Sequence, residues 1–474
     1  MTESDNKLLW SPTEGQIKSS SMYHFMESIN KKYTLKLDNY KSLHKWSVNN
    51  RSNFWSEVWD FYKLIGEKGD GPILFPKNLM PGTKFFPKGK ISYAENILKK
   101  NDDEIAIIFQ SEDKICKELS WKELNEQVAS TVEFFNFIGL KKGDRIAAYL
   151  PNIPETIIVM LATTAIGGIF SSASPDFGSE GVLDRFGQIE PKILITTDGY
   201  NYNGKEINIR TKVEEVVKKL PSLKATLLIP LIDSDRFFRN DDTYLYSEIL
   251  EKFNKKILNF ERLNLDDPIY IMYSSGTTGK PKCIVHSVGG VLLKHLVELG
   301  LHSNAKKNYK IFYFTTCGWM MWNWLVSSLM LNSTICLYDG SPFYPNSDIL
   351  WTYAEEEKFN FFGTSAKYID ALSKFKNNIS EKFELENLET IGSTGSPLVH
   401  ESFDYVYNNI KKDVHLASLS GGTDIVGCFV GGNPISPVYR GEIQGPILGM
   451  DVHVFDDDGN SITNKQGELV CIKS

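Results

Sequence analysis

The 474 residues exceed the size at which one hydrophobic core keeps growing, so two or more packed subdomains are expected. With 42% apolar and 23% charged residues, a formal net charge of -7 and no uninterrupted apolar run of the roughly 18 residues a membrane span needs, neither a nucleic-acid partner nor membrane insertion is indicated. The start of the chain is polar and acidic without a secretory core, and the six cysteines are dispersed without a C-x-x-C pair, so a cytoplasmic protein with neither disulfide framework nor zinc site is expected, of an oligomeric state the sequence leaves open.

Residues 1–90 are aromatic-rich and irregular in pattern. A helix over 51–64 would carry Trp55, Trp59 and Tyr62 at spacings of four and three, on one side. A cap docked onto the main body by its aromatics is favoured over a nucleic-acid stacking surface, which would want basic residues interleaved. From Ile105 the pattern becomes rhythmic. Strands are expected over 105–109, 145–150, 169–173, 192–197 and 225–230, with helices over 121–137, 155–166, 181–188 and 212–220 between them. That alternation predicts a parallel, doubly wound α/β subdomain over 91–265. Its last part, 231–265, is polar and charged around a helix over 246–253 and reads as a solvated linker.

A second α/β subdomain is expected over 266–440. It opens with a short buried strand over 269–273, followed by Ser274, Ser275, Gly276, Thr277, Thr278, Gly279, Lys280, Pro281 and Lys282. This is the chemistry of a phosphate cradle. Glycines let backbone N–H groups approach an anion, hydroxyls donate further hydrogen bonds, and lysine supplies positive charge. The glycine spacing and Pro281 exclude a Walker A loop, and there is no G-x-G-x-x-G of the kinase type. Most Ser/Thr/Gly turns after a strand bind nothing, but this composition directly after a buried strand favours phosphate binding.

Further on, a helix over 288–301 and a strand over 311–315 lead to a turn at 316–324 holding Trp319, Met320 and Met321. Aromatics and Met at such density are more often core than pocket. Their place beyond a strand end of a parallel sheet, where ligands collect, points the other way. A strand over 334–339, a helix over 348–358, a strand over 361–364 and a helix over 366–374 follow. Then Thr394, Gly395, Ser396 and Pro397 close a strand in a glycine turn, equally a tight turn or a binding loop. A strand over 414–419 would bring Thr423 and Asp424 to the strand-end face that also carries the phosphate loop. A hydroxyl there can donate to phosphate and a carboxylate can hold Mg2+. The competing account is a Gly-Gly turn whose Asp caps the next helix. Residues 441–474 read as β-rich, with a hairpin starting at 452–455.

YSSGTTGKPK at 273–282 resembles the signature of the adenylate-forming superfamily, which contains acyl-CoA synthetases, luciferases and the adenylation domains of peptide synthetases. LLWSP, the 22–25 stretch and SYAEN resemble the N-terminal region of its acetyl- and acetoacetyl-CoA synthetases, and GLKKGDRIAAYLPNIPE also looks like a family motif. SGGTD at 420–424, with CIVHS at 283–287 and SSASPDFG, resembles the acetoacetyl-CoA branch. The resemblance implies two doubly wound α/β subdomains with a smaller β-barrel-like subdomain, here the start of it over 441–474. It also implies a further small C-terminal domain on a hinge. The lysine of that domain, and the ribose-binding aspartate and the arginine ahead of the hinge, would all lie beyond Ser474. On this reading the 474 residues are a C-terminally truncated enzyme, inactive or impaired alone.

The implied reaction joins a carboxylic acid to CoA through an acyl-adenylate, with ATP, Mg2+ and CoA taking part. The loop from Ser274 to Lys280 with Lys282 would grip the triphosphate. Gly395, Ser396 and Pro397 would pass along the adenine, and Thr394, Trp319, Met320 and Met321 would line the acyl site. Thr423 would serve the α-phosphate and Asp424 the metal, with Lys282 a third catalytic group. Three departures stand out. Ser420 occupies the place of an adenine-stacking aromatic, Asp424 that of a glutamate, and Gly421 that of the tryptophan which closes acetyl-CoA synthetases down to acetate. Open volume at Gly421 implies a larger acid, acetoacetate. A synthetase for acetate, propionate or another short acid, and a non-catalytic nucleotide-binding fragment, stay open as alternatives. A simple P-loop NTPase is disfavoured. No nucleophilic side chain is needed, and His286 is left outside catalysis.

Overall fold

Strand–helix alternation becomes layered α/β architecture in the computed structural model, which describes residues 7–77, 79–112, 115–232, 242–254, 257–274 and 279–473. Contacts divide the chain into two units that are not consecutive in sequence. One comprises residues up to Lys90, Gly289–Tyr309 and the chain from Ala354 onward; the other comprises Ile91–Val288 and Lys310–Tyr353.

In the second of these, seven strands stand in the order Thr243–Leu245, Ala225–Leu228, Ile193–Thr196, Arg145–Tyr149, Ile169–Ala173, Pro268–Ser274 and Lys282–Ser287. All neighbours are parallel except the last pair, which is antiparallel. Alternation along the strands sorts side chains to two faces. Ala147, Tyr149, Ile169, Ala173, Leu194 and Ile271 pack against Val182 and Phe186 of the helix Ser179–Phe186 and Val213 and Val216 of the helix Arg210–Lys219. Strand neighbours of opposite parity turn the other way: Tyr270 meets the Tyr93 ring at 5.7 Å, and Phe170 meets Trp322 of the helix Met320–Ser327 at 6.1 Å. Both faces are thus covered, as a parallel sheet requires.

Three features depart from the sequence-based expectation. The sheet is mixed, because the chain after the phosphate loop returns as the strand Lys282–Ser287 before its helix begins. Thr243–Leu245, inside the expected linker, adds a parallel edge strand. The strand Ile105–Ser111 joins Thr334–Asp339, with Lys310–Tyr313 beyond that in parallel and Cys116–Ser120 antiparallel on its other side, rather than the strands nearest to it in sequence.

The other unit holds the parallel strands Phe361–Ser365, Thr390–Thr394 and His415–Ser418. Its N-terminal portion is helical where the sequence looked irregular, over Glu14–Ser19, Ser21–Tyr33 and Tyr40–Asn49, and the helix expected over 51–64 forms as Arg51–Phe61. Thr13, Ser20 and Asn39 start the first three with side chains that accept from backbone N–H groups. Trp55 and Trp59 are buried on the Arg51–Phe61 helix, as their spacing predicts. Trp10 stacks on His415 at 5.2 Å and donates its Nε1–H to Asp413 at 2.9 Å, while Leu8 pairs with Tyr439. The β-rich end comprises the antiparallel set Ser420–Gly422, Gly427–Gly431 and Gly445–Pro446, and the hairpin of Val452–Phe455 with Glu468–Cys471.

Candidate active site

The sequence-predicted residues fall into two groups, one within each unit. In the unit of 91–288 and 310–353, the phosphate loop falls between the antiparallel strands Pro268–Ser274 and Lys282–Ser287, whose register ends at the Ser274–Lys282 pair. Ser275, Gly276, Thr277 and Thr278 lie outside the described residues. Of the flanks, Gly279 takes φ +97, the left-handed region open to glycine, with free space around its α-carbon. Lys280 and Lys282 are exposed. Gln188 donates to the Pro281 carbonyl at 3.0 Å and ties the returning limb to the preceding α/β layer. At the base, Ser171 Oγ donates to the Ile271 carbonyl at 2.9 Å and lies 2.9 Å from the Tyr273 hydroxyl. Burial pushes the Tyr273 phenol well up, so it stays neutral. The Arg185 guanidinium stands 4.2 Å from the Phe177 ring centre and 5.7 Å from that of Tyr273.

The segment around Trp319 starts a helix and spreads its three candidates apart. Trp319, at the N-cap of Met320–Ser327, is 67% exposed, whereas Met321 is buried and Met320 half-buried. Met320 and Met321, successive helical positions, are turned about 100° from one another, which accounts for their unequal burial. Cys317 anchors the turn: its carbonyl accepts from Ser172 Oγ at 2.6 Å, and its thiol donates to the Leu150 carbonyl at 2.9 Å. SSASPDFG is therefore the floor on which this turn rests.

In the other unit the loops after Thr390–Thr394 and His415–Ser418 leave the same carboxyl edge side by side. Leu419 N–H donates to the Ser393 carbonyl at 2.8 Å, and Thr394 Oγ1 donates back to the Leu419 carbonyl at 2.9 Å. Gly395 turns the first loop at φ +88, leaving Ser396 half-buried and Pro397 exposed. The second loop runs as the short strand Ser420–Gly422, one turn of 3-10 helix over Thr423–Ile425, and Val426 at φ +48. No helix follows for Asp424 to cap; the strand Gly427–Gly431 does, antiparallel to Ser420–Gly422. Asp424 is exposed and has no ion pair among the described residues. It fits Mg2+ as that ion is held beside nucleotides, by one or two carboxylates plus phosphate oxygens and water rather than by a protein cage. Among the described residues no group of three or more His, Cys, Asp or Glu forms such a cage.

Gly421 needs a correction. A Cβ there would overlap the Gly427 carbonyl oxygen and sit 2.5 Å from Cys428 Cα. Glycine is demanded by the close approach of the neighbouring strand at a bulge, so the missing side chain is not by itself a widened acyl pocket.

Sequence reasoning missed the residues behind this hairpin. The helix Val288–His295 continues as a π-helical stretch, Leu296–His302, and both carry polar groups into a buried face. Lys294, His295, Glu298 and His302 all bond the backbone of the Val426 to Gly432 stretch. The signal was present: two charges inside the apolar run VLLKHLVELGLH, which a buried helix carries only when they are partnered.

Residues 94–474 match the model of the family described as AMP-binding enzyme. The chain belongs to the AMP-binding enzyme family. Among AMP-binding enzymes it is 46% identical, over 98% of its own length and 72% of the relative's, to the acetoacetyl-coenzyme A synthetase of Rhizobium meliloti (strain 1021). It is 41% identical to the acetoacetyl-CoA synthetase of Gallus gallus, over 99% of its length and 71% of the relative's. The solved acetoacetyl-CoA synthetase from Streptomyces lividans is similar with a TM-score of 0.93 at 37% identity, over 99% of this chain and 73% of that one. The α/β fold with a smaller β part is thus that of an AMP-binding enzyme.

Proposed function

We propose that this AMP-binding enzyme is an acid–thiol ligase that activates acetoacetate with ATP and passes it to CoA. An acetoacetate oxygen attacks the α-phosphorus, the bond to the β-phosphate bridging oxygen breaks, and pyrophosphate leaves. The CoA thiolate then attacks the acyl carbonyl, its C–S bond forms, and AMP departs with the electron pair of the acyl C–O bond. Such chemistry rests on positioning and on stabilising charge that develops on phosphate oxygens. The cationic hairpin of Lys280 and Lys282 grips phosphate, with glycine at Gly279 leaving room for the anion. The Gly395, Ser396 and Pro397 turn lies along the purine, Thr423 donates to the α-phosphate, and Ser420 leaves the purine face without an aromatic lid. Asp424 holds Mg2+, which when bound neutralises phosphate charge. Of the residues that the resemblance nominates for the acid, Trp319 is exposed at its helix start and Thr394 stands at the carboxyl edge of its own sheet.

The observation that carries this reading is the pair of loops tied together through Leu419, at a sheet edge where nucleotides bind α/β folds, in a chain so similar to acetoacetyl-CoA synthetases. ATP–pyrophosphate exchange by the full-length protein across an acid panel tests it. Acetoacetate should outrun acetate and propionate; preference for another short acid would reassign the substrate, ADP formation would restore the NTPase reading, and nucleotide binding with no exchange under any acid would leave a binding fragment. Asp424→Ala is expected to lower magnesium-dependent exchange by about 100-fold. Undiminished exchange would remove Asp424 from the metal.

A further inference from the structure

The hairpin that ends in Thr423 and Asp424 has little of its own to hold its tip. Ser420–Gly422 is a short bulged strand, and the 3-10 turn is closed by the single Val426 N–H to Thr423 carbonyl bond at 3.2 Å. Its return limb is anchored from behind. Lys294 Nζ donates to the Cys428 carbonyl at 2.7 Å, and Glu298 Oε1 accepts the Cys428 N–H at 2.7 Å. The two side chains pair with each other at 3.1 Å, with 11% and 4% of their side-chain surface exposed. One step nearer the tip, His295 Nε2 lies 2.8 Å from the Val426 carbonyl. A Cβ at Gly427 would overlap Glu298 Oε1 and come within 2.8 Å of Lys294 Cε, so backbone and ion pair are fitted to one another.

This arrangement replaces a neighbouring strand by two side chains of opposite charge, one for each polar group of a single residue. A buried ion pair is weak evidence for stability, since well-packed apolar groups of similar volume often serve as well or better. What apolar groups cannot do is take the Cys428 N–H and carbonyl in fixed directions. The π-helical continuation Leu296–His302 turns less per residue than an α-helix, which keeps Lys294, Glu298 and His302 along one line facing the strand.

We propose that the Lys294–Glu298 pair is a positioning device for adenylation: by gripping both polar groups of Cys428 it sets where Thr423 and Asp424 stand toward phosphate and magnesium. Neither residue touches the reacting atoms. The inference rests on the adenylating reading above, because only that reading gives Asp424 its metal.

The test compares wild type, the double variant Lys294→Met/Glu298→Leu and the conservative Glu298→Gln, which keeps an acceptor for Cys428. Three quantities are measured: Tm, hydrogen exchange of the Cys428 amide, and calorimetric affinity for ATP with and without magnesium. The double variant should fold with a lowered Tm, because it leaves the Cys428 N–H and carbonyl without their partners, lose protection at Cys428 and bind magnesium–ATP about 10-fold more weakly. Metal-free ATP, which lacks only the Asp424 contact, should lose less affinity than magnesium–ATP does, and Glu298→Gln should recover most of the lost affinity. Unaltered magnesium–ATP affinity together with lost Cys428 protection overturns the positioning role while leaving the adenylating reading intact. A wild type whose ATP affinity ignores magnesium overturns the positioning role alone, whereas a wild type with no acid-dependent pyrophosphate exchange overturns both. Should the double variant fail to fold, Lys294→Met/Glu298→Gln decides, since it removes both charges of the pair, leaves an acceptor for the Cys428 N–H and frees only the Cys428 carbonyl: weakened magnesium dependence supports the role, and none refutes it.

Discussion

At the scale of single residues, two glycines illustrate how one amino acid serves unlike ends. Gly279 has open space around it and a left-handed φ of +97, so its use is conformational. Gly421 has ordinary freedom but no room, because the Gly427 carbonyl occupies the place of its Cβ. Replacing Gly421 by alanine must push the two strands apart, and overpacking of that kind costs about 1–3 kcal/mol. Gly421→Ala is accordingly expected to lower Tm and to weaken magnesium-dependent ATP binding together, since the displaced strand carries Thr423 and Asp424. Alanine accepted with both quantities unmoved would show that the hairpin adapts freely. Gly421→Trp, which on sequence grounds alone would retune the pocket toward acetate, is expected instead to disrupt the hairpin for every acid.

At the scale of elements, legibility followed the strength of the local signal. The helix Trp121–Phe137 was read to the residue because Ser120 and Glu123 form a capping box before a long periodic stretch. Ser120 accepts from the Glu123 N–H at 3.2 Å, and the Glu123 carboxylate accepts from the Ser120 N–H at 2.8 Å. That backbone bond, then the Ser120 hydroxyl, holds the Glu123 carboxyl below its usual range. Ser120→Ala should therefore destabilise by about 1 kcal/mol, measured by urea unfolding, with the active site unaffected. The helices Glu14–Ser19 and Ser21–Tyr33 carry similar caps at Thr13 and Ser20. They went unread because the first is only six residues long and their polar letters are those of loops. Lys282–Ser287 was missed for another reason. An edge strand next to a glycine turn shows no clean alternation, with Val285 exposed at 57% and His286 buried at 7%. Within the site, the loops were legible from composition, whereas the polar support behind them depends on residues more than a hundred positions away in sequence, such as Lys294 and Cys428.

For the whole chain, no local signal announces that it leaves a unit and returns to it, nor that Ile105–Ser111 pairs with a strand from residue 334 onward. Long-range closure of that kind leaves its trace in buried polar groups. Histidines in the unit built from the N-terminal helices, Gly289–Tyr309 and the chain from Ala354 record it most clearly. His302 Nδ1–H donates to the Gly432 carbonyl at 2.7 Å while its Nε2 accepts the Leu448 N–H at 3.1 Å, so the neutral ring is fully used. Burial lowers its pKa from 6.5 to about 3, and nearby Lys294, His44 and His415 push the same way. His415, stacked on Trp10 and 2.7 Å from Gln444 Oε1, is lowered by burial from 6.5 to about 4. Both folded values lie below the unfolded one, so between them the unfolded chain binds more protons and stability rises with pH. The contribution is complete above 6.5 and is lost as pH falls from there, through about 4 for His415 and about 3 for His302. Asp404, held below the usual carboxylate range by Arg440, yields only further into acid. Urea unfolding followed across the upper window should show falling stability well before the carboxylates protonate, and His415→Asn should flatten that slope. A wild-type stability that holds level down to the carboxylate range would mean that these rings are not the neutral, hydrogen-bonded pins that join distant segments of the chain.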